Sequence, residues 1–112
     1  LKEIRNILVT GSCGQIGSEL TNELRERYGN KNVIATDILP SQSIEPGSTE
    51  LYHSVNVIDI IALEKIIADY NIDTIFHMAA ILSANGEKNP QHCWNVNMNG
   101  TINILELGVK YD

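Results

Sequence analysis

Apolar residues along this chain fall into two alternating patterns. Short unbroken runs rich in β-branched side chains predict strands buried on both faces, and positions repeating every three to four residues predict helices with one face on a core. Ile4 to Thr10 is a run of the first kind, centred on Ile7, Leu8 and Val9, and it stops at Gly11. Gln15 to Tyr28 is of the second kind: Ile16, Leu20, Leu24 and Tyr28 recur every four positions, and Gly29 stands where a helix C-cap belongs. Asn32 to Asp37 predicts a second strand. Leu39 to Glu50, with Pro40, Pro46, Gly47 and four hydroxyl residues, predicts a loop. A third strand over Leu51 to Val57 leads to a helix capped by Asp59 and running through Tyr70, in which Ile60, Leu63, Ile67 and Tyr70 keep the helical period. Thr74 to Ala79 predicts a fourth strand. After a polar loop, Pro90 opens a last helix with Val96, Ile102 and Leu105 among its apolar positions, and Pro fits a first helical turn because its missing N–H is not needed there.

Strands separated by helical crossovers pair in parallel, which predicts an α/β fold with a doubly wound parallel sheet in the strand order 3-2-1-4. The 112 residues, 43% hydrophobic and 20% charged, suffice for one small domain or a piece of a larger protein, and no internal repeat, low-complexity stretch or second domain is evident. A net charge of −6 without any run of Lys or Arg excludes nucleic acid and anionic membranes as partners, since both would be repelled. No apolar run approaches the roughly 20 residues that cross a bilayer, and Leu1 to Arg5 has no signal-peptide layout, so a cytoplasmic enzyme is expected. Cys13 and Cys93 are too few and too far apart for a disulfide framework, and His53, His77 and His92 fit no metal-ligand spacing, so neither bridge nor metal is expected. A first residue other than Met and an end at Lys110-Tyr111-Asp112 lead us to expect that the boundaries are those of a piece.

Candidate chemistry begins at Gly11-Ser12-Cys13-Gly14-Gln15-Ile16-Gly17, between the first strand and the strongest helix. A glycine at the tight turn, one where backbone must approach a pyrophosphate and one where helix and sheet pack closely are the needs of a dinucleotide site, here assigned to Gly11, Gly14 and Gly17. The helix opening at Gln15 and Ile16 aims its free N–H groups and positive dipole end at the phosphates. With Ser at position 12 the spacing is G-x-x-G-x-x-G, not G-x-G-x-x-G, and a turn without a ligand is the plainer alternative. Asp37 favours the ligand. It ends the second strand 20 residues beyond Gly17, where a carboxylate accepts from adenosine ribose hydroxyls and repels the 2′-phosphate of NADP, so the cofactor expected is NAD.

The Thr-Gly-x-x-Gly-x-x-Gly motif, Asp37, Asn56-Val57, His77-Met78-Ala79-Ala80 and Asn97-Met98-Asn99-Gly100-Thr101 together resemble the extended short-chain dehydrogenases, the NAD-dependent epimerase/dehydratase family, over the whole chain. The resemblance implies a Rossmann-type sheet, cut before its fifth strand, in which residues 1–112 form the N-terminal portion of the NAD-binding domain and the substrate domain is absent. It places Asn56 and Val57 by the adenine, with Asn where the family usually has Asp; an amide oxygen still accepts from an adenine amino group. Met78, Ala79 and Ala80 would line the cofactor at the strand end, although small residues there also serve helix packing. Asn97 would lie near the nicotinamide.

Within the family, Gly11 to Leu20, Ala79 to Ala84 and Glu87 to Pro90 are similar to short-chain L-threonine 3-dehydrogenases, whereas sugar-nucleotide epimerases tend to carry an aromatic residue at position 15. That similarity implies a small hydroxyl substrate contacted by Ser83, and a homo-oligomer when intact; Ser83 is as readily a loop hydroxyl bonding its own backbone. Cys13 reads as a small motif residue with reactivity left open, and Trp94 and Ile60-Ile61 read as core. The family moves its proton with Tyr-x-x-x-Lys, because a Tyr of ordinary pKa near ~10 is a poor base until a Lys charge lowers it. No Tyr of this chain is followed four positions on by Lys, so no catalytic residue is assigned and the chain alone is expected to be inactive. Three readings stay open: part of a dehydrogenase or epimerase, a free-standing dinucleotide-binding module, and an apo assembly piece.

Overall fold

The computed structural model describes residues 3–41, 51–81 and 87–111. Four parallel strands, β1 (Ile7–Thr10), β2 (Val33–Asp37), β3 (Tyr52–Ser54) and β4 (Thr74–His77), form one sheet in the order β3-β2-β1-β4, as the sequence predicts. Helix α1 (Gln15–Tyr28) joins β1 to β2 and α2 (Ile60–Asp69) joins β3 to β4. After β4, α3 (Pro90–Trp94) continues through a π-helical stretch (Asn95–Asn99) into α4 (Gly100–Tyr111).

Alternation along β1 divides the core. Ile7 and Val9 face Leu24 of α1 with Val33, while Leu8 faces the α2 and α4 side with Ile34, Leu63, Ile67, Ile104 and Leu107. Both faces are covered, which is why β1 reads as an unbroken apolar run.

All four strands are shorter than the spans predicted for them because a strand lasts only as long as its ladder. β1 begins at Ile7, where Val33 and Thr74 become its partners. Arg5 and Asn6 give their N–H groups to the Asp73 carboxylate instead. β4 ends at His77 because Met78 N–H turns to the Thr10 carbonyl at 3.1 Å and Ala79 N–H to the Thr10 hydroxyl at 3.2 Å. Helix ends follow the sequence closely: the Asp59 side chain accepts from Ala62 N–H at 3.1 Å, Pro90 opens α3, and Gly29, with φ of 95°, closes α1.

Several apolar positions are not core. On α1 the buried positions are Gly17, Thr21 and Leu24, while Ile16 in the first turn lies clear of the sheet and is 67% exposed. On α4 they are Gly100, Ile104 and Leu107, and the predicted Ile102 and Leu105 point away, as do Trp94 and Ile61. Hydrophobicity names a candidate for burial, but the helix phase against the sheet selects which candidate is buried. Most of the predicted 39–50 loop, residues 42–50, lies outside the described residues.

Candidate functional site

The C-terminal ends of β1, β2 and β4 open onto one cleft of about 170 Å³, lined by Gly11, Gly14, Asp37, Asn56, Val57 and Met78 to Ala80, all singled out in the sequence. Its position at the carboxyl ends of parallel strands is where open α/β sheets hold ligands. At this size the enclosed part admits a portion of a dinucleotide, since whole ligand pockets run to roughly 300–1,000 Å³.

The three glycines have three different physical reasons. Gly11 has φ of 66°, and a Cβ there would stand 2.6 Å from the Met78 and Ala79 backbone, so only glycine lets the β1 exit pass β4. At Gly17 a Cβ would meet the Gly11 carbonyl oxygen at 2.0 Å, which makes it the close-packing point between helix and turn. Gly14 differs. Its φ of −72° is open to any residue, so it carries no strain; an added Cβ would meet only the Gly11 oxygen at 3.4 Å and would otherwise project into open space. Gly14 is the N-cap of α1 and offers no capping side chain, leaving first-turn N–H groups for an anion, and the first turn carries no acidic residue. These features fit a pyrophosphate.

Asp37 is held on both oxygens. Cys13 N–H donates to Oδ2 at 2.9 Å and Ile38 N–H to Oδ1 at 2.7 Å, so the glycine-rich turn and the β2 exit together orient the carboxylate. A carboxylate accepts about four hydrogen bonds, which leaves two for a ribose diol. Burial pushes the Cys13 thiol up, with the Asp37 charge adding to it, against the downward pull of the Tyr52 hydroxyl. The thiol therefore stays protonated at neutral pH, and reactivity at Cys13 finds no support.

The remaining positions divide. Asn56 Oδ1 accepts from Ile58 N–H at 3.2 Å, keeping one lone pair for a ligand. Val57 is 5% exposed, and its carbonyl accepts from Asn103. Gln15, Ile16 and Gly17 belong to α1 and do not line the cleft. Asn97 does not line it either: its amide is spent on the Ile81 backbone, accepting from N–H at 2.7 Å and donating to C=O at 3.2 Å. Ser83 lies outside the described residues. The cleft also uses Thr36, Ile38, Val55, Ile81 and Val96, which carry little sequence signal beyond adjacency to a motif, and His92, which carries none.

His77 sits half-buried between β1 and α4. Its Nδ1 lies 2.7 Å from the Thr10 hydroxyl and its Nε2 3.4 Å from the Thr101 hydroxyl. Among the described residues no group of three His, Cys, Asp or Glu side chains is placed to hold a metal, and no helix is long and apolar enough to cross a membrane.

A parallel sheet with a glycine-rich β1-α1 turn and an acidic residue ending β2 defines a dinucleotide-binding α/β protein. Residues 7–112 match the NAD dependent epimerase/dehydratase family, and the chain belongs to it; NAD is the cofactor of that family. An uncharacterized epimerase/dehydratase of Staphylococcus epidermidis is 43% identical over 108 residues, covering 96% of this chain and 34% of the relative. Among solved structures, L-threonine dehydrogenase from Clostridium difficile is 40% identical with a TM-score of 0.91, over 99% of this chain and 35% of that one. UDP-glucose 4-epimerase from Thermotoga maritima is 30% identical with a TM-score of 0.77, over 95% of this chain and 34% of that one. The chain thus spans about a third of the length of the curated relatives it matches.

Proposed function

We propose that residues 1–112 are the N-terminal, NAD-binding portion of a full-length dehydrogenase that oxidises the 3-hydroxyl of L-threonine to 2-amino-3-oxobutanoate. The observation that carries the reading is the cleft in which the β1-α1 glycines and the doubly held Asp37 carboxylate converge. Gly11 and Gly14 give backbone access to the pyrophosphate, the first turn of α1, with Gln15 and Ile16, offers it N–H donors, Gly17 packs that turn, and Asp37 takes the ribose hydroxyls. Asn56 and Val57 border the adenine; Met78, Ala79 and Ala80 border the other side of the cofactor, and Ser83 contacts the substrate. Asn97 acts through the backbone of Ile81. Bound NAD supplies the hydride acceptor; this chain supplies binding and orientation. No Tyr-x-x-x-Lys stands in these 112 residues, so the base for the hydroxyl proton belongs to the rest of the full-length protein.

The choice of threonine draws on the likeness to L-threonine dehydrogenase. A second reading, an NAD-dependent sugar-nucleotide epimerase or dehydratase, draws on the likeness to UDP-glucose 4-epimerase. Steady-state assays of the full-length protein with NAD and L-threonine, beside UDP-glucose, separate them: NADH formation from threonine alone supports the first, and conversion of UDP-glucose without net NADH supports the second. NADH binding without turnover of either would leave a binding module.

A further inference from the structure

Three consecutive carbonyls at the exit of β2 all accept from β3 or from the residue that follows it. Asp37 C=O takes Val55 N–H at 2.9 Å, Ile38 C=O takes the Ser54 hydroxyl at 3.3 Å, and Leu39 C=O takes the Tyr52 hydroxyl at 2.6 Å. The turn that carries the Asp37 carboxylate is therefore stapled from the neighbouring strand. Of the two side-chain staples, Ser54 is exposed and competes with water, whereas Tyr52 is 5% exposed. Tyr52 also touches the residue that holds the other carboxylate oxygen, since the Cys13 thiol donates to its hydroxyl at 3.8 Å and Cys13 N–H donates to Asp37 Oδ2.

We infer that Tyr52 is a positioning residue for cofactor choice, fixing the Asp37 carboxylate through the two backbone segments that hold it. The inference rests on the NAD-binding reading of the cleft. Asp37 takes its hydrogen bonds from Ile38 N–H and Cys13 N–H, and Tyr52 contacts Leu39, which follows Ile38, and Cys13 itself. A ring at position 52 would fill the core as Phe; among the described residues the hydroxyl is used on the turn and the thiol. Burial pushes the Tyr52 hydroxyl well up, so it remains a neutral donor throughout the ordinary pH range. A carboxylate held rigidly reads a ribose diol and repels a 2′-phosphate; one on a loosened turn does both less well.

Tyr52→Phe removes the hydroxyl and keeps the ring. In the full-length protein, titrations with NADH and NADPH should show NADH affinity falling about 2- to 10-fold, the range of one hydrogen bond, with NADPH affinity unchanged or tighter. The NADH to NADPH ratio is the readout that mere fold support would not move. In a double-mutant cycle with Asp37→Ala, Tyr52→Phe should add little further loss, because it acts through that carboxylate. An unchanged ratio, additive effects, or a Tyr52→Phe protein that fails to fold would each overturn the inference while leaving the NAD reading intact. A parent protein that binds no NADH overturns the NAD reading itself, and this inference with it.

Discussion

Thr10 and His77 are register partners on β1 and β4, and their side chains meet with Oγ1 2.7 Å from Nδ1. The Thr10 hydroxyl oxygen also accepts from Met78 N–H at 3.0 Å and Ala79 N–H at 3.2 Å. With both lone pairs taken, its own proton points to Nδ1. Nδ1 is then an acceptor, and the ring proton sits on Nε2, aimed at the Thr101 hydroxyl, which passes its proton to the Asn97 carbonyl at 2.6 Å. One directional chain of hydrogen bonds thus ties the cleft-lining end of β4 to the π-helical stretch, and it requires neutral His77.

Burial holds the His77 pKa below its ordinary value of 6.5. Here the unfolded state binds the proton more readily, so this contribution to stability is full above about pH 6.5, diminishes as pH falls, and is gone below the folded-state pKa. Melting temperature should fall over that window in the parent and fall less in His77→Gln. Equal slopes in the two proteins would show that His77 does not titrate against the fold.

Cofactor choice should follow Asp37. In the proposed NAD site its charge would face a 2′-phosphate, so NADH should bind more tightly than NADPH by about 1–3 kcal/mol, and Asp37→Ser should shrink the difference. Calorimetric titration of the full-length protein measures both, and equal affinities in the parent would remove the role given to Asp37.

Two glycine substitutions should fail in different ways. Gly14→Val places its side chain in the cleft without backbone strain, because φ is −72°, so folding should be largely kept while NADH affinity falls by at least ~10-fold. Gly17→Ala drives a Cβ to 2.0 Å from the Gly11 carbonyl oxygen, and neither backbone can yield cheaply. It should cost stability by about 2 kcal/mol or more, read by denaturant unfolding.

Gly100→Ala sets two effects against each other. A helical Gly costs roughly 1 kcal/mol relative to Ala, which favours the change. Against it, the new Cβ would stand 2.6 Å from Cγ2 of Val57, a β-branched side chain with little freedom to move. Overpacking of this kind costs about 1–3 kcal/mol, so a net loss is expected in thermal melting. Val57→Ala in the same protein should recover part of it, and a melting temperature raised by Gly100→Ala alone would refute the packing argument.

Element order, strand order and the glycines of the β1-α1 turn were legible in the sequence, because each follows from local rules. A parallel sheet leaves its mark in apolar runs, and a tight turn leaves its mark in glycine. The helix ends at Asp59, Pro90 and Gly29 were legible for the same reason. Tertiary structure decided how far each strand extends, which apolar residues are buried and what the polar groups bond to. Ile16, Ile102 and Leu105 are as hydrophobic as Leu24 and Ile104, and only the phase of each helix against the sheet separates them. Asn97 is placed by a motif, but its bonds to Ile81 exist because the π-helical stretch and the β4 exit come together in space. Tyr52 shows the limit most clearly. Nothing in its neighbours along the chain marks its hydroxyl, and its partners, Leu39 and Cys13, reach it only because β3 pairs with β2 and the glycine-rich β1-α1 turn passes over the end of that pair.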